Sequence, residues 1–199
     1  MDPRQLPAKT ALRDQLLAAR RRIPLPELVT AAEALADHLL ADPAVRRAAT
    51  VTAYVSVGRE PGTSVLLDRL AAAGKRILLP VVLPDLDLDW ALADGALEPA
   101  TMGLLEPTGT RLGPDAVAGA DVLLLPGLAA AYDGRRLGRG GGCYDRALAR
   151  VPSGTPTVVL LHDGELGHEV PAEPHDRPVT HAVTPSSGVV SLRRGPGGG

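Results

Sequence analysis

Residues 134–146 read GRRLGRGGGCYDR and place glycines, arginines and a carboxylate side by side. Glycines let backbone amides approach an anion closely, and they permit positive φ. Successive exposed amides form an anion-binding nest, and the guanidinium groups of Arg135, Arg136 and Arg139 can add charge-assisted hydrogen bonds to phosphate oxygens. The stretch predicts a phosphate cradle, with an ordinary surface connection as the alternative.

Asp145 follows this basic stretch directly. A carboxylate repels a bare anion, but a magnesium ion between phosphate and carboxylate removes the repulsion. A helix that begins near Cys143 would add its free N–H groups and its dipole. Because the stretch matches neither GxxxxGK[ST] nor GxGxxG, it indicates a metal–nucleotide site of another kind.

The segments around this stretch alternate between helical and extended patterns. Apolar spacing, caps and stop signals predict helices at 9–22, 26–41, 63–73 and 144–151. Strands are predicted at 50–57, 76–83, 85–92, 121–130, 155–162 and, as a short last strand, 181–184. Thr63 or Ser64 would cap its helix and Gly74 would end it.

Two of these strands have distinct positions in the expected sheet. The nearly unbroken apolar run at 121–130 indicates a central strand that is covered on both faces. The alternation of acidic and apolar residues at 85–92 indicates an edge strand with one wet face. We predict a single-domain α/β fold with an open, mainly parallel sheet and helices on both faces, a Rossmann-like three-layer arrangement. Ligands bind at the carboxyl ends of such strands, where the Gly-Arg stretch falls.

Composition narrows the class of protein further. The 199 residues include 21 Lys and Arg against 23 Asp and Glu, so the net charge of −2 gives no basis for nucleic-acid or membrane binding. Phe is absent, so Leu, Val and Ala must fill the core. A single cysteine and the lack of an apolar leader or membrane-length run predict a cytoplasmic protein. We expect one domain at 1–192, a disordered Gly-rich tail at 193–199, and a monomer.

The chain resembles the 5-formyltetrahydrofolate cyclo-ligases, also called 5,10-methenyltetrahydrofolate synthetases. The resemblance is carried by LLLPGLAAAYDGRRLGRGGGCYDR at 123–146, by Lys9 and Arg13, and by four further segments in the family's order. These are YVSVGREPGT at 54–63, GKRILLP at 74–80, GLLEP at 103–107 and PAEPHD at 171–176. The matches span nearly the whole chain.

This resemblance implies ATP, Mg²⁺ and a folate as small-molecule ligands. ATP would be bound by Lys9, Arg13, Arg136, Leu137, Gly138, Arg139, Gly140, Gly141, Gly142, Cys143 and Tyr144. The folate would be bound by Glu60, Val55 and Tyr144, with the Glu60 carboxylate accepting hydrogen bonds from the amino-pyrimidine edge. Arg139 and Asp145 would be catalytic, and Asp145 and Asp176 would hold the metal.

Cys143 departs from the family pattern, which usually has an aromatic residue at that position, and Gly141 is often larger or basic in relatives. The late histidines, His162, His168, His175 and His181, lack zinc-type spacing and are interpreted as loop residues. Two other functions remain open. One is a non-catalytic nucleotide- or folate-binding regulator, and the other is a phosphoryl-transfer enzyme with a different carbonyl acceptor.

Overall fold

The computed structural model describes residues 5–100 and 103–192; the tail predicted at 193–199 lies outside them. The α-helices of this part are α1 (Gln5–Arg20), α2 (Leu25–Ala41), α3 (Pro43–Arg47), α4 (Ser64–Ala72) and α5 (Cys143–Ala149). A 3₁₀ helix covers Pro114–Gly119. The strands are β1 (Thr50–Thr52), β2 (Arg76–Val82), β3 (Leu88–Leu92), β4 (Leu97–Pro99), β5 (Leu105–Pro107), β6 (Val122–Pro126), β7 (Ala129–Ala130), β8 (Arg136–Leu137), β9 (Thr157–Leu160), β10 (His181–Thr184) and β11 (Gly188–Ser191).

Seven strands form the main sheet, in the order β11-β10-β9-β6-β1-β2-β3. The five inner strands pair in parallel, while β3 and β11 pair antiparallel at the two edges. The predicted open, mainly parallel α/β sheet is confirmed. Its central strand β6 is buried from Val122 to Leu125, as its apolar sequence requires.

The order of the strands creates a crevice between β1 and β6. From β1 the chain passes through α4 to β2 on one side, and the later strands β6, β9 and β10 lie on the other side. Connections therefore diverge at this point, which is where ligands bind in open α/β sheets. The loops that follow β1 and β6 carry residues 53–63 and the Gly-Arg stretch.

Helices cover both faces of the sheet, as predicted. On one face, the α2 and α4 residues Leu35, Leu39, Leu66 and Leu70 are fully buried in one core cluster. On the other face, the second cluster joins Trp90 of the sheet to Val117 of the 3₁₀ helix and Leu148 of α5. Trp90 is the largest fully buried side chain among the described residues.

Helix α1 packs away from these two clusters. Its Leu16 lies in a third cluster with Leu137 of β8 and with Leu128 and Val170, which lie in segments that follow β6 and β9. The helix is thereby held against the loops at the carboxyl edge of the sheet.

The predicted strand at 50–57 ends early, at Thr52. The chain then forms a loop that Ser56 and Thr63 close, because each backbone N–H donates to the other's side-chain oxygen, at 3.0 and 3.1 Å. Thr63 occupies the N-cap position of α4, but its hydroxyl donates to the Tyr54 carbonyl and no helix amide donates to it. Thr63 is thus the N-cap residue, one of the two predicted, but its side chain forms no cap hydrogen bond because the hydroxyl closes the loop.

The apolar run at 121–130 is divided between two sheets. After β6 the chain turns at Gly127, and Ala129–Ala130 pairs with Arg136–Leu137 in a small antiparallel hairpin. A Cβ at Gly127 would lie 2.5 Å from a Val159 methyl, so only glycine fits this turn.

Two further predictions are corrected at the sheet edges. The edge strand β3 begins only at Leu88, and Asp87 is buried against Arg150 of α5's C-terminus, so the expected wet face is partly covered. Strand β10 is not the last, because β11 pairs with it antiparallel.

Candidate active site

A cavity of about 590 Å³ opens at the crevice between β1 and β6, a size typical of small-ligand sites. It is lined by every site residue that the family resemblance implies, whereas Arg135 lies outside it. The implied site residues are Lys9, Arg13, Val55, Glu60, Arg136, Leu137, Gly138, Arg139, Gly140, Gly141, Gly142, Cys143, Tyr144, Asp145 and Asp176. Residues separated by most of the chain thus line one space, although their individual roles remain predictions.

The Gly-rich loop connects β8 to α5 and curves around cationic side chains. A Cβ at Gly138 would lie 2.9 Å from Nη1 of Arg136, and a Cβ at Gly140 would lie 3.6 Å from Cζ of Arg13. Gly140 also has φ +106°, a conformation that favours glycine. The glycines therefore let the backbone and two guanidinium groups share one wall.

Arg136 is the most enclosed cation of this loop. Nη1 donates to the Pro126 carbonyl at 3.1 Å, and Nη2 lies 3.4 Å from Oδ2 of Asp145. The guanidinium stacks over the Tyr144 ring at 5.7 Å. Its buried Nε has no hydrogen-bond partner, and such an orphan donor in a cavity wall suits an anionic ligand.

Arg135, which the sequence also offered to the phosphate, turns away. Its Nε donates to Oδ2 of Asp133 at 2.8 Å, and it is not among the residues that line this cavity. The prediction of a phosphate contact from Arg135 is therefore not supported by the geometry.

Helix α1 brings two predicted cations to the cavity. Arg13 donates from Nε to the Gly138 carbonyl at 3.0 Å, which ties the helix to the Gly-rich loop. Lys9 is 3% exposed, and its ammonium binds the carboxylates of Glu173 and Asp176. Lys9 thereby neutralises acidic groups at the floor of the cavity.

Glu173, His175 and Asp176 form a cluster whose ligand atoms lie within 4.8 Å of one another, so it can hold a metal ion. Asp145 is not a member of this cluster, but Oδ1 of Asp145 accepts from the backbone N–H of Arg177 at 3.0 Å. Carboxylate oxygens are the donors that Mg²⁺ takes in phosphate sites. The cluster therefore offers suitable donors around Asp176, one of the two predicted ligands, together with Glu173 and His175, while Asp145 lies outside it.

Glu60 and Arg139, predicted for different ligands, meet across the cavity. Nη2 of Arg139 lies 3.0 Å from Oε1 of Glu60, with side chains 54% and 8% exposed. Oε2 of Glu60 accepts from the Val57 N–H at 2.9 Å, so the loop after β1 orients the carboxylate. The Gly-rich loop and the loop after β1 are thus in direct contact.

The far end of the cavity is apolar. Its wall is supplied by β2, β3 and β5 together with the turn at Leu86, through the side chains of Pro80, Val82, Leu86, Leu88, Leu104 and Leu105. Oε1 of Glu106 accepts from the Val82 N–H at 2.9 Å and fastens the β4–β5 hairpin to β2. This end suits a flat or apolar ligand group.

Tyr144 and Cys143 lie between the two ends. Burial, and then the nearby charge of Glu60, raise the pKa of the Tyr144 phenol, so it stays protonated at neutral pH. Burial also raises the pKa of the Cys143 thiol. A raised pKa disfavours the thiolate, which argues against a nucleophilic role for this cysteine.

Among the lining residues that sequence reasoning missed, His175, Glu173 and Arg20 carry side chains that bind or can bind charged groups. His175 was set aside as a loop residue, although it stands next to Asp176 in the PAEPHD segment. Glu173 belongs to the same segment. Arg20 pairs with Glu165 at the buried end of α1, and the signal for it was its place on the face of α1 that carries Lys9 and Arg13.

The fold and the cavity together define an open-sheet α/β protein with a cavity, lined by a Gly-Arg loop, at the divergence of two central strands. The chain belongs to the 5-formyltetrahydrofolate cyclo-ligase family, whose sequence model matches residues 5–185. It is therefore an enzyme of the family that the sequence predicted.

Individual relatives agree with this assignment. A protein of Mycolicibacterium smegmatis named 5-formyltetrahydrofolate cyclo-ligase is 43% identical over 97% of this chain and 100% of its own length. The Escherichia coli K12 protein of the same name is 33% identical, over 86% of this chain and 97% of its own.

Solved structures share the fold. The NMR structure of Aquifex aeolicus 5,10-methenyltetrahydrofolate synthetase superposes with a TM-score of 0.79 at 26% identity and covers 95% of both chains. A 5,10-methenyltetrahydrofolate synthetase from Mycoplasma pneumoniae, at 22% identity and a TM-score of 0.69, has the same fold over 90% of this chain and 96% of its own.

Within the described residues, no helix has the length and apolar character needed to cross a lipid bilayer.

Proposed function

We propose that this enzyme cyclises 5-formyltetrahydrofolate to 5,10-methenyltetrahydrofolate and consumes ATP with Mg²⁺. The supporting observation is the contact between Arg139 and Glu60 at 3.0 Å. Arg139 is predicted to contact the transferred phosphoryl group, and Glu60 is predicted to bind the pterin. Their contact within one cavity would bring the two substrates together.

The chemistry begins at the formyl oxygen, which is a poor leaving group. This oxygen attacks the γ-phosphorus of ATP, and ADP departs. N10 then attacks the activated formyl carbon and loses its proton, and the carbon–oxygen bond breaks to release phosphate. Because the protein supplies no covalent intermediate, its task is alignment and charge stabilisation.

The chain's own groups fit these tasks. The free Nε of Arg136, the backbone of the Gly-rich loop and Arg13 would hold the phosphate chain. Arg139 would stabilise charge at the transferred group, as arginine does in other phosphoryl transfers. Glu60 would accept hydrogen bonds from the pterin, and the apolar end would enclose the rest of the folate.

Asp145 and Asp176 would bind Mg²⁺ together with Glu173 or His175. A bound magnesium ion neutralises developing charge on phosphate oxygens. Lys9 would orient Asp176 for this role through its ammonium contact.

Mixing the protein with 5-formyltetrahydrofolate, ATP and Mg²⁺ tests the proposal. We expect absorbance to rise in the band of the methenyl product, and we expect no rise when any one component is omitted. Arg139→Ala should slow the rise about a thousandfold, while Arg135→Ala, a matched change in the same stretch, should leave it near the wild-type rate. No product at any enzyme concentration would refute the proposal.

Two outcomes would favour the other functions. ATP binding without turnover would indicate a regulator on the same scaffold. Phosphate release with a different carbonyl compound, and none with the folate, would indicate another phosphoryl-transfer enzyme.

A further inference from the structure

Helix α1 presents three cationic side chains on one face. Each residue of an α-helix advances about 100° around the axis, so Lys9, Arg13 and Arg20 point in nearly the same direction. Lys9 reaches the acidic cluster and Arg13 reaches the Gly138 carbonyl. Arg20, at the C-terminal end of the helix, reaches Glu165.

The pair of Arg20 and Glu165 is buried and bidentate. Nε of Arg20 lies 2.7 Å from Oε1 of Glu165, Nη2 lies 2.8 Å from Oε2, and the side chains are 3% and 7% exposed. Two parallel hydrogen bonds fix the angle as well as the distance between the groups. The pair therefore sets the orientation of the helix end.

The same two side chains also bind backbone groups of two strand-end loops. Nη2 of Arg20 donates to the Gly127 carbonyl, directly after β6, at 2.6 Å. Oε2 of Glu165 accepts from the His162 N–H, shortly after β9, at 2.8 Å. The C-terminal end of α1 is thus clamped to the carboxyl ends of two adjacent central strands.

Burial of two charges does not by itself make a fold more stable, because the desolvation cost is comparable to the attraction. A rigid helix, however, transmits the position of one end to the other. Lys9 lies about 16 Å along the axis from Arg20, so a small tilt at the clamp displaces Lys9 and Arg13. The clamp therefore controls where these two cations meet the Gly-rich loop and the acidic cluster.

We propose that Arg20 and Glu165 are positioning residues that align α1 so that its N-terminal half completes the phosphate-binding end of the cavity. The identity of the phosphate ligand as ATP rests on the proposed function. Neither residue needs to touch the reacting atoms, because the effect passes through Lys9 and Arg13.

The test compares stability with ligand affinity in four proteins: wild type, Arg20→Met, Glu165→Gln and the double variant. The measurements are the thermal unfolding midpoint, the Kd of a non-hydrolysable ATP analogue with Mg²⁺, and the Kd of 5-formyltetrahydrofolate. Arg69→Ala removes an exposed ion pair between α4 and α2 and serves as the control. We expect all of its values to stay near wild type.

Arg20→Met leaves a buried unpaired carboxylate, so it should lower both the unfolding midpoint and the affinity for the analogue, the latter about tenfold. The double variant removes both charged groups, so it leaves no unpaired charge. The neutral amide that replaces the Glu165 carboxylate can still accept a hydrogen bond from the His162 N–H. Its unfolding midpoint should recover while its analogue affinity stays low. The folate Kd should change less than about twofold.

A double-mutant cycle with Arg13→Ala checks the path of the effect. If Arg20 acts through Arg13, then Arg20→Met should weaken analogue binding less than about threefold in the Arg13→Ala background. If Arg20→Met fails to fold, Glu165→Gln replaces it in the cycle.

Several results would overturn the inference. Affinity that recovers together with the unfolding midpoint would indicate a merely structural pair. The inference would also be overturned if the losses of analogue affinity in the double-mutant cycle are additive, or if Arg20→Met weakens folate binding as much as analogue binding. A wild type that does not bind the analogue would overturn it as well. Tight analogue binding by a wild type that forms no methenyl product would refute the proposed function and leave this inference standing.

Discussion

The two ends of the cavity are built in different ways. At the charged end, cations and carboxylates from distant parts of the chain bind one another, as Lys9 binds Asp176 and Arg139 binds Glu60. At the apolar end, the wall is carried by strand pairing, with Pro80 opposite Trp90 and Val82 opposite Leu88. The arrangement of the charged end therefore depends on a few side-chain contacts, whereas the arrangement of the apolar end depends on backbone pairing between strands.

This difference indicates how each end should respond to change. A single substitution at the charged end removes a ligand-binding group and leaves its former partner buried and unpaired. A single substitution in the apolar wall removes a few contacts and leaves the ladder intact. Large losses of function are therefore expected at the charged end and small ones at the apolar end.

The strongest test of the comparison is Asp145→Ala. This change removes a predicted magnesium ligand and leaves Arg136 without its carboxylate, so we expect turnover to fall about a thousandfold. Asp133→Ala is the matched control, because Asp133 lies in the nearby turn between β7 and β8, binds Arg135 and does not line the cavity. Both variants are compared with wild type by their steady-state rates at saturating Mg²⁺. Full activity in Asp145→Ala would contradict the prediction that Asp145 binds the metal.

Glu60→Gln should have the next largest effect. The neutral amide keeps the shape but loses the charge that the pterin and Arg139 bind, so the KM for the folate should rise about thirtyfold. The KM for ATP should change much less. Glu33→Gln on the exposed face of α2 is the control, and an unchanged folate KM in Glu60→Gln would contradict the assignment of Glu60.

Val82→Ala tests the apolar end. The loss of apolar contact is worth about 1 kcal/mol, so the KM for the folate should rise about fivefold with kcat little changed. Val189→Ala, at a partly buried valine of β11 that does not line the cavity, is the matched control. A loss as large as that in Asp145→Ala would show that the two ends do not differ as described.

Asp87→Asn should have the smallest effect on function. The hydrogen bond from Arg150 lowers the pKa of the Asp87 carboxyl, and the pair fastens α5 to the turn before β3. We expect a loss of about 1 kcal/mol in the free energy of unfolding and less than a twofold change in either KM.

The pH dependence of this loss has a definite sign. A carboxyl with a lowered folded-state pKa stabilises the fold fully above its ordinary pKa of about 3.9, and that stability is lost as the pH falls through the lowered value. The difference between wild type and Asp87→Asn should therefore be constant near neutral pH and shrink below about pH 4. Chemical denaturation at several pH values measures it, and a difference that grows on acidification would contradict the pairing.

Much of the fold could be predicted from local patterns in the sequence. The apolar run around Leu123 and the helix stop at Gly74 lie as expected, because burial on both faces and the need for positive φ leave direct signatures. The start of β1 at Thr50 lies as expected, but its C-terminal end could not be predicted. The residues after Thr52 favour a strand, but the reciprocal hydrogen bonds of Ser56 and Thr63 take the chain out of the sheet.

The candidate site shows the same division. The Gly-Arg stretch and Asp145 could be identified from residue chemistry, since phosphate and magnesium require those types. The burial of Asp87 and the pairing of Arg20 with Glu165 could not, because a charged residue in a sequence does not reveal a partner 63 or 145 positions away. Only the assembled fold brings such partners together.

The contact between Lys9 and Asp176 joins residues 167 positions apart. During synthesis, Lys9 leaves the ribosome long before Asp176, and the two can pair only after the 167 positions that separate them have been made. Closing so long a loop is slow compared with forming the helix. The charged end of the cavity should therefore form last in folding. A nascent chain that stops before residue 173 should form the early strands of the sheet but should not bind a nucleotide.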